Sequence, residues 1–324
     1  MKIASKPRLK IVVDQAAHFF RWEKPFLENH FEIVEKADEN TLLYAFGPDV
    51  LSVAAALPAL RRTIMLFPGF GLNPYHNLEY RQLALALINN YYDLVFINPG
   101  PLEVAYNFSK KVLLCPFTID QNLIGCHSYR KTIKSLLHVS NPSPQKDWQR
   151  SCEIMQRTQL NYSVYPPRNQ YGNTIARKTM IKHRINNFLE QKNIPFRINV
   201  SLLENCGYID HKKVIKKYQQ YDGFVHVASD VKSYNIDGKY TACTMEAGLT
   251  GSIVFWHDTY QLGNDFETFF DLPLEPQHAA EQILKISQNI DVEKHSKLTR
   301  EEVLDKCDIK RSIDFRAKKI KDLL

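Results

Sequence analysis

Short apolar runs recur along this chain, and polar turns and stretches of helical composition separate most of them. In the first third, residues 10–13, 31–34, 41–46, 63–67, 93–97 and 112–115 have strand character. Residues 50–60, ending in Arg61-Arg62, have helical composition, and the two arginines suit a helix C-terminus. Residues 79–89 give a second helix. Strands that alternate with helices dictate a mostly parallel sheet covered on both faces. The chain then turns polar and basic over 125–134, where the periodicity lapses. Alternation resumes with strands at 135–139, 160–165, 196–203 and 223–228. Helices are expected at 147–158, 180–192, 212–221 and 279–289, and one or two charged helices over 301–324. At 324 residues two domains are the better prior. The polar segment divides the chain into residues 1–130 and 131–304, two α/β halves of similar size with a hinge between them.

Net charge is +7 at pH 7 and the isoelectric point about 8.9. Much of the excess lies in 178–217 and in the tail from Lys306. This balance suits anionic donors, an anionic acceptor or a membrane surface carrying anionic lipid. Nucleic acid is not indicated, since no binding motif or aromatic-basic interleave is present. The six cysteines are widely spread with no C-x-x-C pair, which points to reduced thiols in a cytoplasmic protein. Basic residues precede an apolar patch at 9–13, but no small-residue cleavage site follows, so the patch reads as a first strand. No apolar run approaches bilayer-spanning length.

The stretch 234–258, YNIDGKYTACTMEAGLTGSIVFWHD, carries the chemistry. A polar loop (Asn235, Asp237, Gly238, Lys239) enters a helix-forming segment at 241–249, which stops at Gly251 before the apolar run 252–256. The amino end of a helix offers unpaired N–H groups to a phosphate. Glu246, a turn further on, is placed to reach a ribose hydroxyl. The stretch resembles the nucleotide-sugar loop of the retaining GT-B glycosyltransferases. In that family a Glu opens a Gly-containing loop, seven residues intervene, and a second Glu is followed by Ala and, five positions after it, Gly. Glu246, Ala247 and Gly251 match the second half. The first Glu falls at Gly238, so the motif is broken there; Asp237 is one residue away.

The resemblance spans about residues 136–284 and implies two Rossmann-like domains facing a cleft, with the helix from residue 305 to 324 crossing back onto the first domain. It implies a UDP-linked sugar donor, a glycan or glycolipid acceptor, and no metal or other cofactor. Leu136-Leu137-His138-Val139-Ser140-Asn141 is similar to the first strand of the donor domain. Lys146 lies where the family has a basic residue for the donor diphosphate, and a solvated lysine is the plain alternative. The family's arginine at the strand's end is replaced nearby by Asn141. Tyr208 and Ile209 are base-contact candidates, or simply packed side chains. Gly238, Lys239, Tyr240 and Thr241 face phosphate and sugar, and Asp237 is a candidate for the donor sugar hydroxyls. On the acceptor side, the loops 14–21, 68–76 and 98–103 face the cleft. Gly69 and Gly71 permit close backbone approach. His18 and His76 are the histidines best placed to meet a sugar, each with an ordinary non-catalytic alternative. Peripheral contact with the inner face of an anionic membrane fits the basic segments.

Other chemistries lack their motifs: there is no G-x-S-x-G elbow, no G-x-x-x-x-G-K-[ST] loop and no H-E-x-x-H. Gly69-Phe70-Gly71 lacks the third glycine of a dinucleotide fingerprint. Two alternatives stay open: a GT-B-like protein that binds nucleotide or glycan without catalysis, favoured by Gly238 and Asn141, and a transferase acting on modified DNA, which the charge permits.

Overall fold

A computed structural model describes residues 5–13, 20–47, 50–66, 78–97, 108–115, 118–119, 125, 127–140, 146–165, 185, 188–189, 192, 194, 209, 211–228, 241–258 and 266–324. Two parallel sheets are built from consecutive parts of the chain. The first holds β1 (Arg8–Val13), β2 (Glu32–Ile33), β3 (Leu42–Phe46), β4 (Arg61–Leu66), β5 (Leu94–Ile97) and β6 (Lys111–Leu114), in the order β2-β1-β3-β4-β5-β6. The second holds β7 (Ser135–Val139), β8 (Asn161–Tyr165), β9 (Gly223–Ala228), β10 (Ile253–Asp258) and β11 (Phe270–Asp271), in the order β11-β10-β9-β7-β8. Every residue of β3, β5 and β9 is buried, as expected of interior strands with both faces covered.

Helices α1 (Phe20–His30), α2 (Leu51–Ala56) and α3 (Leu78–Tyr91) belong to the first half. In the second half lie α4 (Trp148–Arg157), α5 (His211–Gln220), α6 (Ala242–Leu249) and α7 (Pro276–Asn289), followed by α8 (Val292–Lys306) and α9 (Ile309–Lys321). Carboxylates start several of them. Asp147, Glu275, Asp291 and Asp308 each accept from the backbone N–H three residues on, at 2.6–3.1 Å, satisfying a donor the helix cannot. Pro276 fills the first position of α7, where its missing N–H costs nothing.

One face of the first sheet is completed by the end of the chain. Ile309, Ile313, Ala317 and Ile320 of α9 pack in one cluster with Leu9, Leu27, Tyr44 and Phe96. Met245, Leu249 and Val303 extend that cluster to α6 and α8. Inside it, the Arg316 guanidinium meets Glu23 of α1 through two bonds of 2.8 and 2.6 Å and donates to the Tyr44 hydroxyl at 2.6 Å. Thr118 donates to the same carboxylate at 2.6 Å. Arg316 and Glu23 are both fully buried.

Three elements depart from the sequence reading. The loop expected to run to Arg21 ends earlier, because Phe20 and Arg21 already belong to α1; Pro25 within this helix hid it. The helix expected over 50–60 stops at Ala56, since Leu57 precedes a proline and is extended at φ −76°, ψ 145°. Arg61 and Arg62 therefore open β4 instead of closing a helix. The polar segment before β7 is pinned to the second half: Arg130, 4% exposed, donates to the carbonyls of Tyr218, Tyr221 and Ser128, and Asp222 accepts the N–H groups of Lys134 and Ser135.

Candidate active site

Each sheet has one place where the strand order reverses. From β1 the chain passes to β2 on one side and later to β3 on the other; from β7 it passes to β8, and later to β9 on the other side. Crevices at the carboxyl ends of such strand pairs are where open α/β sheets bind ligands. In the second sheet the described residues include the strands at the floor of this crevice. β7 pairs with β8 from Ser135 to Val139, but with β9 only at Leu136↔Gly223 and Leu137↔Phe224. Beyond that point β7 and β9 part. His138 fills the first position after the split, its ring Nδ1 2.9 Å from the Val225 carbonyl that the ladder leaves over.

Side chains of contrasting chemistry gather at this split. His138 and His226 are fully buried and their rings lie parallel, 5.8 Å between centroids, with Trp256 beyond at 6.4 Å. Burial is the main reason the His138 imidazole is held neutral, its pKa pushed down to about 3, with His226 and Lys146 adding to the shift. Lys146 is nine-tenths buried, and its backbone forms a bridge with Ala228, the last residue of β9. That bridge fixes the lysine at the carboxyl end of the strand, within electrostatic reach of His138 and Cys243.

α6 enters from the same side. Thr241 precedes it with extended backbone and makes no side-chain cap. Its hydroxyl instead lies 2.7 Å from that of Thr244 and 3.3 Å from the Cys243 sulfur. The first turn thus keeps N–H groups that no Thr241 side chain takes up, with the positive end of the helix dipole behind them. Cys243 is half-buried, its sulfur 3.8 Å from His226 Nδ1. Burial alone raises a thiol pKa, but His226 and Lys146 outweigh it and hold Cys243 below the ordinary value.

Glu246 follows one turn later and is 4% exposed. It does not lie on the outer surface: it faces α5, where it takes a hydrogen bond from the fully buried Tyr218 phenol. Burial, then the charges of Glu246 and Cys243, push the Tyr218 pKa well above its usual value, so the phenol remains a donor. α6 ends as the sequence implies. Gly251 has φ +85°, its N–H meets the Gly248 carbonyl at 2.9 Å, and the Ser252 N–H meets Ala247 at 3.1 Å, the two bonds of a Schellman stop. Gly248 allows α8 to approach, since a Cβ there would sit 2.9 Å from Val303.

Of the residues singled out in the sequence, Lys146, Thr241 and Glu246 come to this one end of the second sheet. Ile209 is partly buried against the Leu137–Phe224 cluster on the same face. Tyr208, Asp237, Gly238, Lys239 and Tyr240 lie outside the described residues, as do His18, Gly69, Gly71 and His76. Sequence reasoning missed His138, His226, Cys243 and Tyr218. A histidine at or near the carboxyl end of each of two expected strands was a usable signal for the first pair. Among the described residues no three His, Cys, Asp or Glu side chains converge as metal ligands, and no helix is long and apolar enough to cross a membrane.

No protein-family model matches the sequence, and no curated protein matches it. Solved structures do. HepE of Anabaena, in complex with UDP-glucose, superposes with a TM-score of 0.64 at 13% identity, over 98% of this chain and 100% of HepE. TarM gives 0.58 at 13% identity, over 87% of this chain and 55% of TarM. A trehalose-6-phosphate synthase, from a structure concerned with enzymatic glycosyl transfer with retention, gives 0.58 at 11% identity, over 94% and 78%. At such identities the likeness is one of fold, and the fold is GT-B: two Rossmann-like α/β domains facing a cleft.

Proposed function

We propose that this protein is a retaining glycosyltransferase that moves a sugar from a UDP-linked donor to a glycan or glycolipid acceptor. The observation that carries the reading is the convergence of Lys146, the first turn of α6, which the Thr241 side chain does not cap, and the buried Glu246 at the β7/β9 split. The likeness in fold to HepE bound to UDP-glucose, over 98% of this chain, supports it.

In this reading the two groups that carry charge have separate tasks. Lys146 and the N–H groups opening α6 hold the diphosphate and offset the charge that builds on it as the sugar departs, without a metal. Partial burial strengthens both, because water screens them less. Glu246 grips the ribose, held in place by Tyr218. Asp237 meets the sugar hydroxyls, and Tyr208 and Ile209 border the base. The departing phosphate takes the acceptor's proton, so no enzymic base is required. His18, His76, Gly69 and Gly71 border the acceptor. The basic segments hold this cytoplasmic protein against an anionic inner membrane surface.

Titration calorimetry with UDP and UDP-sugars, run beside a donor-hydrolysis assay, tests this. Glu246→Gln is expected to weaken UDP binding by about 1–3 kcal/mol, the scale of a lost charged hydrogen bond. An unchanged affinity removes Glu246 from the site. Gly238, standing where the family pattern has its first Glu, favours a second reading, a GT-B-like protein that binds without catalysis. Binding with no turnover of any donor selects that reading, and no binding of any nucleotide sugar overturns both.

A further inference from the structure

We propose that Cys243 is a peroxide-reactive thiol whose oxidation shuts the donor site. The reactivity stands on the geometry around the sulfur; the shut-off rests on the glycosyltransferase reading above.

Cys243 is the second residue of α6; it packs on one side against the Leu137–Phe224 cluster and stays partly open to solvent. Its sulfur faces His226 Nδ1 at 3.8 Å and the Thr241 hydroxyl at 3.3 Å, with Lys146 in electrostatic range. Behind His226 stands His138, fully buried, whose Nε2 has no hydrogen-bond partner among the described residues. A helix amino end with basic side chains around a sulfur is the setting in which a thiolate persists near neutral pH. The other described cysteines differ. Cys307 and Cys115 are buried, which pushes the Cys307 thiol up to about 12 and raises that of Cys115 despite the neighbouring Arg316 and Ser312. Cys152, on α4, is half-buried as Cys243 is and serves as an internal reference.

The step is a two-electron oxidation. The Cys243 thiolate attacks one oxygen of hydrogen peroxide, the O–O bond breaks, and hydroxide leaves. The hydroxide takes up the proton the thiol gave away and becomes water. Sulfur is oxidised to sulfenic acid and peroxide is reduced, and a thiol reductant reverses the change. The added oxygen then occupies the first turn of α6, where the reading above puts the donor diphosphate.

The test treats the full chain with hydrogen peroxide at pH 6.5, traps sulfenic acid with dimedone, and measures peptide masses over time. Cys243 is expected to react about tenfold faster than Cys152, the scale of a favoured thiolate; equal rates overturn the reactivity. His226→Phe is expected to bring the Cys243 rate down toward that of Cys152; where that variant fails to fold, the ratio in the unaltered chain decides. UDP affinity is measured before and after oxidation. A loss of about tenfold or more, restored by dithiothreitol and absent in Cys243→Ser, supports the shut-off. Oxidised Cys243 with unchanged UDP affinity overturns it. Failure to bind UDP before peroxide is added counts against the glycosyltransferase reading; the shut-off falls with it, and the labelling ratio still decides the reactivity.

Discussion

Replacing Arg316 by methionine should cost this protein a large part of its stability. The guanidinium gives two charged bonds to Glu23 and one to Tyr44, and neither member of the ion pair touches solvent. Methionine restores much of the volume but strands the Glu23 carboxylate with one remaining donor shown, the Thr118 hydroxyl. Breaking a buried pair in this way costs about 3–5 kcal/mol, because the surviving charge has no counterpart. The Tyr44 hydroxyl loses its partner too, adding about 1 kcal/mol. The intact pair is itself imperfect, since Arg316 Nε is buried without a partner among the described residues. An apolar double replacement, Glu23→Leu with Arg316→Met, should therefore recover about 2 kcal/mol or more relative to the single change. Urea titration followed by far-UV circular dichroism reads both as shifts in midpoint at constant slope. A single variant that loses under about 1 kcal/mol, or a double variant no better than the single, would refute the argument that the pair is held by mutual need in a dry interior.

His138 predicts a pH effect. Its folded pKa of about 3 lies below the ordinary 6.5, so between these values only the unfolded chain takes up the proton. Stability is whole above pH 6.5 and falls as the pH drops, by roughly 2 kcal/mol at pH 5 from this group alone. His138→Gln should flatten that part of the profile; identical slopes would show that the ring is not the source. Gly251→Ala should destabilise by about 1–3 kcal/mol in the same urea assay, because φ is +85° and a Cβ would meet the Ser128 carbonyl at 2.9 Å. A loss below a few tenths would mean that the stop of α6 relaxes without cost. The Glu246→Gln and Cys243 experiments complete the set.

Local signals carried most of the architecture. The run 223–228 was found to the residue as β9, because a short stretch that is apolar but for His226, set between polar turns, has few other fates. The stop at Gly251 was equally legible, since a positive φ after a helix calls for glycine. α1 was not, because a proline in its middle argues locally against the helix that tertiary packing imposes. At the site, Lys146 and Glu246 were visible through a spaced pattern. Tyr218 was not, since its bond to Glu246 joins two helices whose contact depends on the whole second sheet. The His138–His226 stack needs the strand order, in which β7 and β9 are neighbours though β8 lies between them in sequence.

The return of α9 onto the first sheet has a consequence for how the protein is made. Arg316 and Glu23 are separated by 293 positions, which at 5–20 residues per second is roughly 15–60 s of translation. Throughout that interval the nascent first half carries an apolar face that α9 does not yet cover. A chaperone, or the second half as it emerges, must shield that face on the ribosome. Emergence of α9 from the ribosome, more than completion of either half, marks the moment at which this face can close.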